Sequence, residues 1–553
     1  MNTSTVASHG VAPGRFFLSL VLLALACVAP SAKAATCTPP GPGVMNDTTF
    51  QAMLDSCAGQ KITFASGTYR FVPSSTYKTG FTIHAGTTLQ GAGNSSSPNP
   101  TIFDIADSGA YQALLWIKDV SNVTIEDIAF EGVDLTTNPQ TAYSSGCQQG
   151  LEYGHAIWVY SSAGAASSVE TVTIQGNSFH NFNGSSWITV QSADTDPTLG
   201  PSAGVGLHSE VVISENTFYS TTIPTAIGGC IGSITPGPTG QGGYSAFMIS
   251  VMGNTKDKTY GFVHNVSISS NNPMSASYVE GAVALWSNVN QVSVQYNTVT
   301  GAGNLLPAVT SQPVSGGTSP PFEPHRYAIL TYDASHGTAL GPDTIWIVGN
   351  SITNPESCGI YSAGATNLDI NTNTISGQTD PWDATLPKAA ISLNDSTTMA
   401  GNPILNNNLP TNYTGLAIAG GNVSASTNTI NVPGKIVAPS GTTGSFGIKL
   451  TSVPGGGVAG TYQIQGIKIN TSSTSNATSV VGYGSAGSAS FFGVAQSGWT
   501  VTGGANPALT WYTARNGTEY GSLIHGAVPN WTFGNSNVPL TADGVVQTAS
   551  WHP

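Results

Sequence analysis

The sequence predicts an all-β solenoid, in which the chain winds through stacked coils that each contribute short strands. Three observations support this prediction. Short segments that begin apolar-x-apolar recur through the middle of the chain, an asparagine stands at one fixed place in most of them, and only 7% of the residues are charged. The alternation is the period of a strand with one buried face. Its repetition along the chain is the signature of a solenoid.

The repeated segment occurs in seven copies. They read VTIEDIAF (from Val123), VTIQGNSF (Val172), VVISENTF (Val211), VSISSNNP (Val266), VSVQYNTV (Val292), IWIVGNSI (Ile345) and LDINTNTI (Leu368). The first copy has Ile128 where the other six have an asparagine: Asn177, Asn216, Asn271, Asn297, Asn350 and Asn373. Asparagine tolerates a left-handed backbone, and its amide can bond the same group one layer away. A ladder of asparagines is therefore expected to keep the turns in register.

A second strand follows most copies of the repeat. These strands read HAIWVY (from His155), SWITV (Ser186), AFMISV (Ala246), GAVALW (Gly281), YAILTY (Tyr327), CGIYS (Cys358) and AAISLN (Ala389). The closest repeats, Ile347 to Ile370, are 23 residues apart. A bare coil is therefore expected to have about this length, and the longer spacings are expected to carry inserted loops.

The chain divides into four stretches. Residues 1–34 read as a secretory signal peptide, with Arg15, the apolar core FFLSLVLLALACVA and the small-residue site AKA. Residues 35–60 contain an amphipathic helix with Asn46 or Asp47 as its N-cap. Residues 61–395 form the solenoid, and residues 396–553 form a β-rich region that is either a separate domain or an irregular continuation. The expected localisation is secreted, either extracellular or periplasmic.

The charge balance limits the partners. Lys and Arg number 14 against 27 Asp and Glu, a formal net charge of −13. Nucleic acid is excluded as a partner because phosphates need a basic face. After the signal peptide no apolar run is long enough to predict a membrane span. The sequence leaves the oligomeric state open.

The cysteines predict two disulfides and one free thiol. Five remain after residue 34, and an odd number leaves at least one unpaired. The candidate pairs are Cys37 with Cys57 and Cys147 with Cys230. Cys358 lies two residues before a core position of its strand, so it is expected to be the buried free thiol, packing as a small apolar group.

Given this coil pattern, typified by NLDINTNTISG, the chain resembles the right-handed parallel β-helix proteins of the pectin-lyase-like superfamily, which includes the pectate lyases. The entry segments NDTTFQAMLDSCAG, KITFASGTYRF and FTIHAGTTLQGAG are similar to theirs. The resemblance covers residues 44–395 and implies a right-handed parallel β-helix with an N-terminal capping helix. It also implies a polysaccharide or other glycan as partner, acted on by a lyase, a hydrolase or a uronate epimerase.

Strand alternation predicts which side chains face outward. Glu280 and Arg326 both stand three residues before the aligned core position, in consecutive coils that stack about 4.8 Å apart. They are expected to be neighbours on the outer wall, either as an exposed salt bridge or as an acid–base pair. Aromatic residues one or three places after the core position are expected to form a glycan platform, unless inserted loops cover them. These aromatics are Trp158, Tyr160, Trp286, Tyr332 and Tyr361.

The stretch FEPHRYAILTYDASHG, residues 322–337, holds most of the candidate catalytic residues. A polysaccharide lyase needs a base to remove the proton next to a carboxylate. Arg326 is the candidate base, and His325, Glu280 and Asp333 are the other candidates for acid–base work. The segment Glu323 to Arg326 is similar to the Asp-Pro-His-acid segment of the epimerases but departs from it at both ends. The Asp-Asp pair and Gly-His-Gly segment of the hydrolases are absent from the sequence.

The resemblance also raises a cofactor, because lyases of this superfamily often use Ca²⁺ to neutralise the substrate carboxylate. Four acidic residues could supply ligands, but their spacing in IEDIAFEGVD is not that of a tight metal loop: Glu126, Asp127, Glu131 and Asp134. Ca²⁺ stays an open cofactor, and the metal ligands stay unknown.

The leading hypothesis is therefore a secreted β-helix protein that acts on polysaccharide as a lyase-like enzyme centred on Arg326. The alternative is a non-catalytic glycan-binding or surface adhesion protein that uses the same outer wall.

Overall fold

A computed structural model describes most of the predicted solenoid. The described residues are 37–72, 80–105, 113–132, 155–162, 169–182, 186–192, 208–220, 247–253, 263–305, 326–333, 341–379, 389–396, 399, 404–410, 414–419, 422–426, 428–432, 448–451, 461–465, 468–471, 481–485, 493–497, 499–503, 510–515, 518–524, 531–533 and 536–539.

These residues form one helix and 43 strands. In chain order they are β1 (Gly43–Met45), α1 (Asp47–Ser56), β2 (Lys61–Thr63), β3 (Gly67–Phe71), β4 (Phe81–Thr82), β5 (Thr88–Gln90), β6 (Thr101–Ile105), β7 (Ala113–Lys118), β8 (Val123–Glu126), β9 (Ala129–Glu131), β10 (His155–Ser161), β11 (Val169–Gln175), β12 (Ser178–His180), β13 (Ile188–Ser192), β14 (His208–Ser214), β15 (Thr217–Tyr219), β16 (Phe247–Met252), β17 (Val263–Ser269), β18 (Met274–Ser275), β19 (Gly281–Leu285), β20 (Val289–Gln295), β21 (Thr298–Thr300), β22 (Tyr327–Tyr332), β23 (Asp343–Val348), β24 (Ser351–Thr353), β25 (Cys358–Ala363), β26 (Thr366–Asn371), β27 (Thr374–Ser376), β28 (Ala389–Asn394), β29 (Ile404–Leu405), β30 (Asn408–Pro410), β31 (Thr414–Ala419), β32 (Asn422–Ser426), β33 (Thr429–Val432), β34 (Ile448–Thr451), β35 (Thr461–Gln465), β36 (Lys468–Thr471), β37 (Val481–Ser485), β38 (Gly493–Ser497), β39 (Trp499–Gly503), β40 (Thr510–Arg515), β41 (Thr518–Ile524), β42 (Trp531–Phe533) and β43 (Ser536–Pro539).

The strands build three sheets that run the length of the described solenoid. Sheet 1 takes every third strand from β4 to β40 and ends with β41, and sheet 2 takes every third strand from β2 to β38 and ends with β43. Sheet 3 starts with β1 and β3, takes every third strand to β39, and ends with β42. Each coil thus gives one strand to each sheet, and the fold is the right-handed parallel β-helix that was predicted.

The three sheets continue beyond Ser396. Strands β29 to β40 extend them in the same parallel order. The last three strands reverse direction, since β41, β42 and β43 each pair antiparallel, with β40, β39 and β38 respectively. The described strands of the C-terminal region therefore belong to the same solenoid as the coils before them.

The core is a set of side-chain columns parallel to the axis of the β-helix. One column on sheet 1 contains aligned, fully buried residues from successive coils: Ile157, Ile188, Ile249, Val283, Ile329, Ile360 and Ile391. On sheet 3, Phe179 stacks on Phe130 and on Phe218 at centroid distances of 5.0 Å. Each coil buries its apolar residues against the coils above and below, which is the main stabilising contribution in a repeat fold.

The asparagine ladder lies at the turn between sheets 2 and 3. The side-chain oxygen of Asn177 accepts from the backbone N–H of Ile128. Each later asparagine accepts, at its side-chain oxygen, a bond from the backbone N–H and another from the side-chain NH₂ of the asparagine one coil earlier. Asn271 N–H, for example, donates to Asn297 Oδ1 at 3.0 Å, and Asn271 Nδ2 donates to the same atom at 2.9 Å. The predicted ladder is confirmed and is longer than predicted, because Asn407 and Asn428 continue it.

The left-handed backbone at this turn belongs to a different residue from the one predicted. From Asn177 to Asn407, the residue before each ladder asparagine has the positive φ, as in Glu215 at 56°, Tyr296 at 54° and Thr372 at 54°. The ladder asparagines are buried, and their side chains bond mainly between coils. Asparagine is therefore selected here for its paired donor and acceptor and not for its backbone tolerance.

The helix α1 covers the first coil. Its N-cap is Asn46, whose side chain accepts a bond from Thr49 N–H at 3.0 Å, so that one of the two predicted caps is confirmed. Phe50 on this helix is fully buried against Phe71 and Phe81, at centroid distances of 4.9 and 4.8 Å. The predicted disulfide Cys37–Cys57 is present and joins the N-terminal segment to the end of the helix.

Replacement of one ladder residue tests how much the coils depend on the ladder. We expect Asn297→Ala to lower the free energy of unfolding by roughly 2–4 kcal/mol, because it leaves Asn271 N–H and the Ile268 carbonyl buried without their bonds. The exposed Thr300→Ala, in the same coil, should change it by less than about 0.5 kcal/mol. Denaturant unfolding of both variants measures this, and equal effects would show that the ladder bonds are not the source.

Candidate functional site

The outer face of sheet 1 carries a band of aromatic residues, which we call the aromatic wall. It extends from β7 to β25 and contains half-buried residues from five of the seven coils in that range. In a sixth coil, the first residue of β16, Phe247, contacts the wall from below. The half-buried members are Trp116, Trp158, Tyr160, Trp286, Tyr332 and Tyr361. At about 4.8 Å per coil the wall is roughly 29 Å long.

The N-terminal part of the wall is a stacked tryptophan pair. Trp116 and Trp158 are directly paired in the register of β7 and β10, and their rings are 5.5 Å apart and 10° from parallel. Tyr160 contacts Trp158 edge-on at 5.5 Å, and the exposed Lys118 places its ammonium 5.5 Å from the Trp116 ring centre. A cation over an indole face is a favourable contact.

The central part of the wall contains the other predicted platform residues. Trp286 contacts Tyr332 edge-on at 5.9 Å, and Tyr361 stacks on Tyr327 at 4.5 Å. Phe247 contacts Trp286 at 6.1 Å. The sequence prediction that Trp158, Trp286, Tyr332 and Tyr361 share an outer face therefore agrees with the register of sheet 1.

A second apolar cluster lies behind the central wall, separate from the main core. It consists of outward residues of five neighbouring strands: Phe247, Ala284, Tyr327, Leu330, Cys358 and Ala389. Cys358 is a fully buried thiol, as predicted, but it belongs to this outer cluster. An inward side chain was expected for Cys358 because it lies two residues before the core residue Ile360. This expectation is wrong because the residue directly before the core position already faces the interior, as at Gly359 and Ala328. The alternation of inward and outward residues is therefore shifted at the start of these strands. Burial raises the pKa of the Cys358 thiol to about 12.

The predicted exposure of Arg326 and Glu280 is also wrong. Arg326 is 0% exposed and Glu280 is 2% exposed. The Arg326 guanidinium donates to Glu356 Oε2 at 2.7 Å and to the Gly303 carbonyl at 3.3 Å. Gly303, with φ at +67°, leaves no room for a side chain, because a Cβ there would lie 2.9 Å from Arg326 carbons. The arginine is thus enclosed between the turn at Gly303 and the carboxylate of Glu356.

Glu280 is the second carboxyl beside this arginine. Its Oε1 is buried and has no hydrogen-bond partner. Burial raises the pKa of Glu280 well above its ordinary value, and the charge of Arg326 opposes that shift only in part. Since Glu356 already neutralises Arg326, a protonated Glu280 leaves this buried group of three without net charge.

The four candidate catalytic residues are not brought to one place. Arg326 precedes the first residue of β22 and Asp333 follows the last, so they lie at opposite edges of sheet 1, on the order of 20 Å apart along the strand. Glu280 lies with Arg326, whereas Asp333 lies near Trp286 and accepts a long bond from Ser287 Oγ at 3.4 Å. His325 lies outside the described residues.

Other predicted sites are separated or lie outside the described part of the chain. Glu126 pairs with Lys61 on sheet 2, at 3.3 Å, and Glu131 pairs with His180 on sheet 3, at 2.7 Å, so these two carboxylates face different sides. Within the described ranges no three His, Cys, Asp or Glu side chains are grouped as metal ligands. Asp134, Cys147, Cys230 and the signal segment 1–34 lie outside those ranges.

Sequence reasoning missed two residues of this face. Trp116 could have been found from the sequence, because LLWIK in β7 is similar to AIWVY in β10. It was missed because β7 precedes the clear repeats. Glu356 has no such signal, since it lies in a turn and its role depends on the position of Arg326 one coil away.

In the described residues no helix is long and apolar enough to cross a membrane.

The buried carboxyl of Glu280 predicts a specific dependence of stability on pH. Above its ordinary pKa of 4.5 the unfolded state loses the proton while the folded state keeps it, so rising pH weakens the fold until the folded pKa is passed. We expect Glu280→Gln to remove this loss. The stability difference, variant minus parent, should grow above pH 4.5 by at most about 1.4 kcal/mol per pH unit. Urea unfolding from pH 4 to 9 measures it, and a difference that stays flat would contradict the burial of a neutral acid.

Comparison with known proteins gives distant similarities in structure alone. No protein-family model matches the chain, and no curated protein sequence matches it. The surface adhesin PfbA of Streptococcus pneumoniae is similar over 89% of this chain and 96% of its own, at 11% identity and a TM-score of 0.42. The A-module of the mannuronan C-5 epimerase AlgE6 of Azotobacter vinelandii is similar over 87% and 96%, at 13% identity and a TM-score of 0.39. The catalytic unit of an α-1,3-glucanase of Streptomyces thermodiastaticus is similar over 83% and 67%, at 13% identity and a TM-score of 0.34. These similarities are too distant to indicate what this chain binds.

Proposed function

We propose that this protein is a secreted glycan-binding β-helix that holds a polysaccharide chain along the aromatic wall. The observation that carries the proposal is the set of half-buried tryptophans and tyrosines on one face of one sheet. Neighbouring coils are in ring contact at 5.5 Å for Trp116 and Trp158 and at 5.9 Å for Trp286 and Tyr332. The two parts of this surface lie on one face over roughly 29 Å, a length that matches an extended polymer.

The chemistry of the wall fits sugars. A pyranose ring has apolar C–H faces and a polar rim of hydroxyls, so it packs on aromatic rings while its hydroxyls bond to polar neighbours. Aromatic side chains bury much apolar area at a low cost in conformational entropy, which is why they dominate binding surfaces. A half-buried polar side chain, Gln191, lies in the coils between the two parts of the wall.

Binding is favoured over cleavage by the state of Arg326. A basic catalyst has to reach the substrate, and this guanidinium is buried and held by Glu356 at 2.7 Å. Removing it from that pair would leave a buried carboxylate without its cation, which costs about 3–5 kcal/mol. Lyase activity is the second candidate, because Arg326 directly precedes the strand that carries Tyr327 and Tyr332.

Single aromatic replacements test the wall as the binding surface. We expect Trp286→Ala and Trp158→Ala each to weaken binding of the best-bound polysaccharide by about tenfold or more, since a central aromatic anchor contributes at least about 1.4 kcal/mol. Affinity electrophoresis across a polysaccharide panel selects the ligand, and calorimetry measures the affinities. The matched control is Trp346→Ala, an equally half-buried tryptophan on the outer face of sheet 2, which should leave affinity unchanged. An equal loss in the control, or no loss in the wall variants, would refute the wall as the site.

An activity measurement separates the two candidates. If the protein only binds, incubation with uronans, with and without Ca²⁺, should release no unsaturated sugar ends absorbing in the ultraviolet. Release of such ends would establish the lyase reaction. If Arg326 is the base of that reaction, Arg326→Lys, which keeps the charge but loses the planar guanidinium, should lower the rate.

A further inference from the structure

The outer face of sheet 1 has two columns of side chains, which differ in exposure. The first outward column follows the core position by one residue, and the second outward column follows it by three residues. From β13 to β22 the first outward column is buried in every coil: Thr189, Ser250, Ala284 and Leu330. In the same coils the second outward column is half-buried: Gln191, Met252, Trp286 and Tyr332. Among the described outward residues of these coils, the second column alone can be reached by a ligand in every coil.

The second outward column runs through six successive coils of sheet 1. From β7 to β22 its members are Lys118, Tyr160, Gln191, Met252, Trp286 and Tyr332. The last two directly follow Leu285 and Thr331, which the register pairs with each other, and Met252 is joined to Trp286 in the same way. At about 4.8 Å per coil this column is roughly 24 Å long. It therefore connects the two parts of the aromatic wall.

Aromatic rings stand toward both ends of this column, and its middle has none. Tyr160 contacts the Trp158 ring edge-on, at 5.5 Å and an interplanar angle of 69°. Trp286 contacts Tyr332 edge-on, at 5.9 Å and 83°. Tyr160 and Trp286 are three coils apart, which is roughly 14 Å. The two coils between them supply Gln191 and Met252 instead of a ring.

The two side chains in the middle have the chemistry that a sugar needs. The thioether of Met252 is unbranched and polarizable, so it adapts to the apolar face of a ring. The amide of Gln191 has two donors and an acceptor oxygen, so it can bond a sugar hydroxyl while it keeps a bond to the protein. Both side chains are half-buried, which lowers the conformational entropy that remains to be lost on binding.

We propose that an extended glycan chain lies along the second outward column and contacts Gln191 and Met252 between the two groups of rings. The proposal rests on the glycan-binding function argued above and specifies its residues and its ligand class, which is an extended chain that spans both parts of the wall. The first outward column cannot take this place, because it is buried from β13 to β22.

The spacing of the coils favours an extended chain over a helical one. One coil rises about 4.8 Å, close to the advance per sugar of an extended, 1,4-linked pyranose chain, so each coil faces about one sugar. A helical glycan turns away from a straight column after a few sugars. An extended chain instead meets the rings at both ends, and the second contact then forms at a high effective concentration.

Oligosaccharides of defined length and linkage test the ligand class by calorimetry. The extended series are β-1,4-linked gluco-, xylo-, manno- and mannurono-oligosaccharides of three and of seven sugars. The helical series are α-1,4-linked and β-1,3-linked gluco-oligosaccharides of the same lengths, which match the β-1,4-linked glucose series in composition. We expect at least one extended chain of seven sugars to bind about tenfold or more tighter than its three-sugar form and than either helical chain of seven sugars.

Two results would overturn the inference and leave binding at the wall intact. One is equal or tighter binding of a helical chain of seven sugars, and the other is equal binding of three and seven sugars in every extended series. Failure of every oligosaccharide and every polysaccharide to bind would overturn the proposed function, and this inference with it.

Replacement of the middle residues locates the chain on this column. Met252 and Gln191 lie outside the main core, so Met252→Ala and Gln191→Ala should fold like the parent. We expect each to weaken the best-bound chain of seven sugars by about threefold or more and to leave its three-sugar form unchanged, since a short chain needs the rings of one end only. The matched control is Gln295→Ala, a half-buried glutamine on the outer face of sheet 2, which should change neither affinity.

The dependence on length makes the test specific to the middle of the column. If neither variant weakens the chain of seven sugars, the chain does not follow this column and the inference is overturned. An equal loss for three and seven sugars would show a general disturbance of the wall, and an equal loss in Gln295→Ala would show an effect unrelated to sheet 1. Either result would also overturn it.

Discussion

The asparagine ladder is the constraint on which the other features of this protein depend. A β-helix has no local hairpins to set its register, so each coil must be positioned by contacts with the next coil, many residues away in sequence. Each ladder asparagine uses both its amide donor and its carbonyl acceptor across the coil boundary, for instance from Asn297 to Asn350 at 3.0 Å. A slip of one residue would leave these groups unbonded in the interior. The ladder therefore keeps the side chains of successive coils in columns, and the aromatic wall lies on two of those columns. One column holds Trp116, Trp158 and Tyr361, and the other holds Tyr160 and Tyr332.

A column arrangement also explains how the fold accommodates a buried arginine. Arg326 has Glu280 in the coil before it and Glu356 in the coil after it, and the chain encloses all three at one corner of the helix. One cation can neutralise only one carboxylate at close range, so the other carboxyl favours its protonated form in a site without water. The pair fixes the start of β22 and β25, which carry Tyr327 and Tyr361 in contact. Arg326, the candidate catalytic base, is thus placed where it can position Tyr327 and Tyr361.

The fold was predictable from sequence because its determinants are periodic and local. The apolar alternation, the spacing of Asn177 to Asn373 and the cap at Asn46 are read directly from neighbouring residues, and the structure agrees with them. The site was predictable only in part. Simple alternation placed Trp286 and Tyr332 correctly, but it failed at the strand starts, where Gly359 turns inward and Cys358 outward. The burial of Arg326 depends on Glu356 and Gly303, which lie in other coils. No pattern in the sequence near Arg326 indicates these partners.

The two faces of sheet 1 show why recognition can vary while the fold stays constant. The inward column consists almost entirely of isoleucine, valine and leucine, since each member must fill the same volume between the coils above and below. The outward column one residue later is chemically mixed, and from β7 onward it reads Trp116, Trp158, Thr189, Ser250, Ala284, Leu330, Tyr361, Ser392 and Ala417. Outward positions lie outside the main core, so their chemistry is less constrained than that of the inward column, although Ala284 and Leu330 pack in the second apolar cluster. Specificity for a ligand is therefore expected to reside in the half-buried outward residues, such as Trp158 and Tyr361, and not in the repeat that makes the fold recognisable.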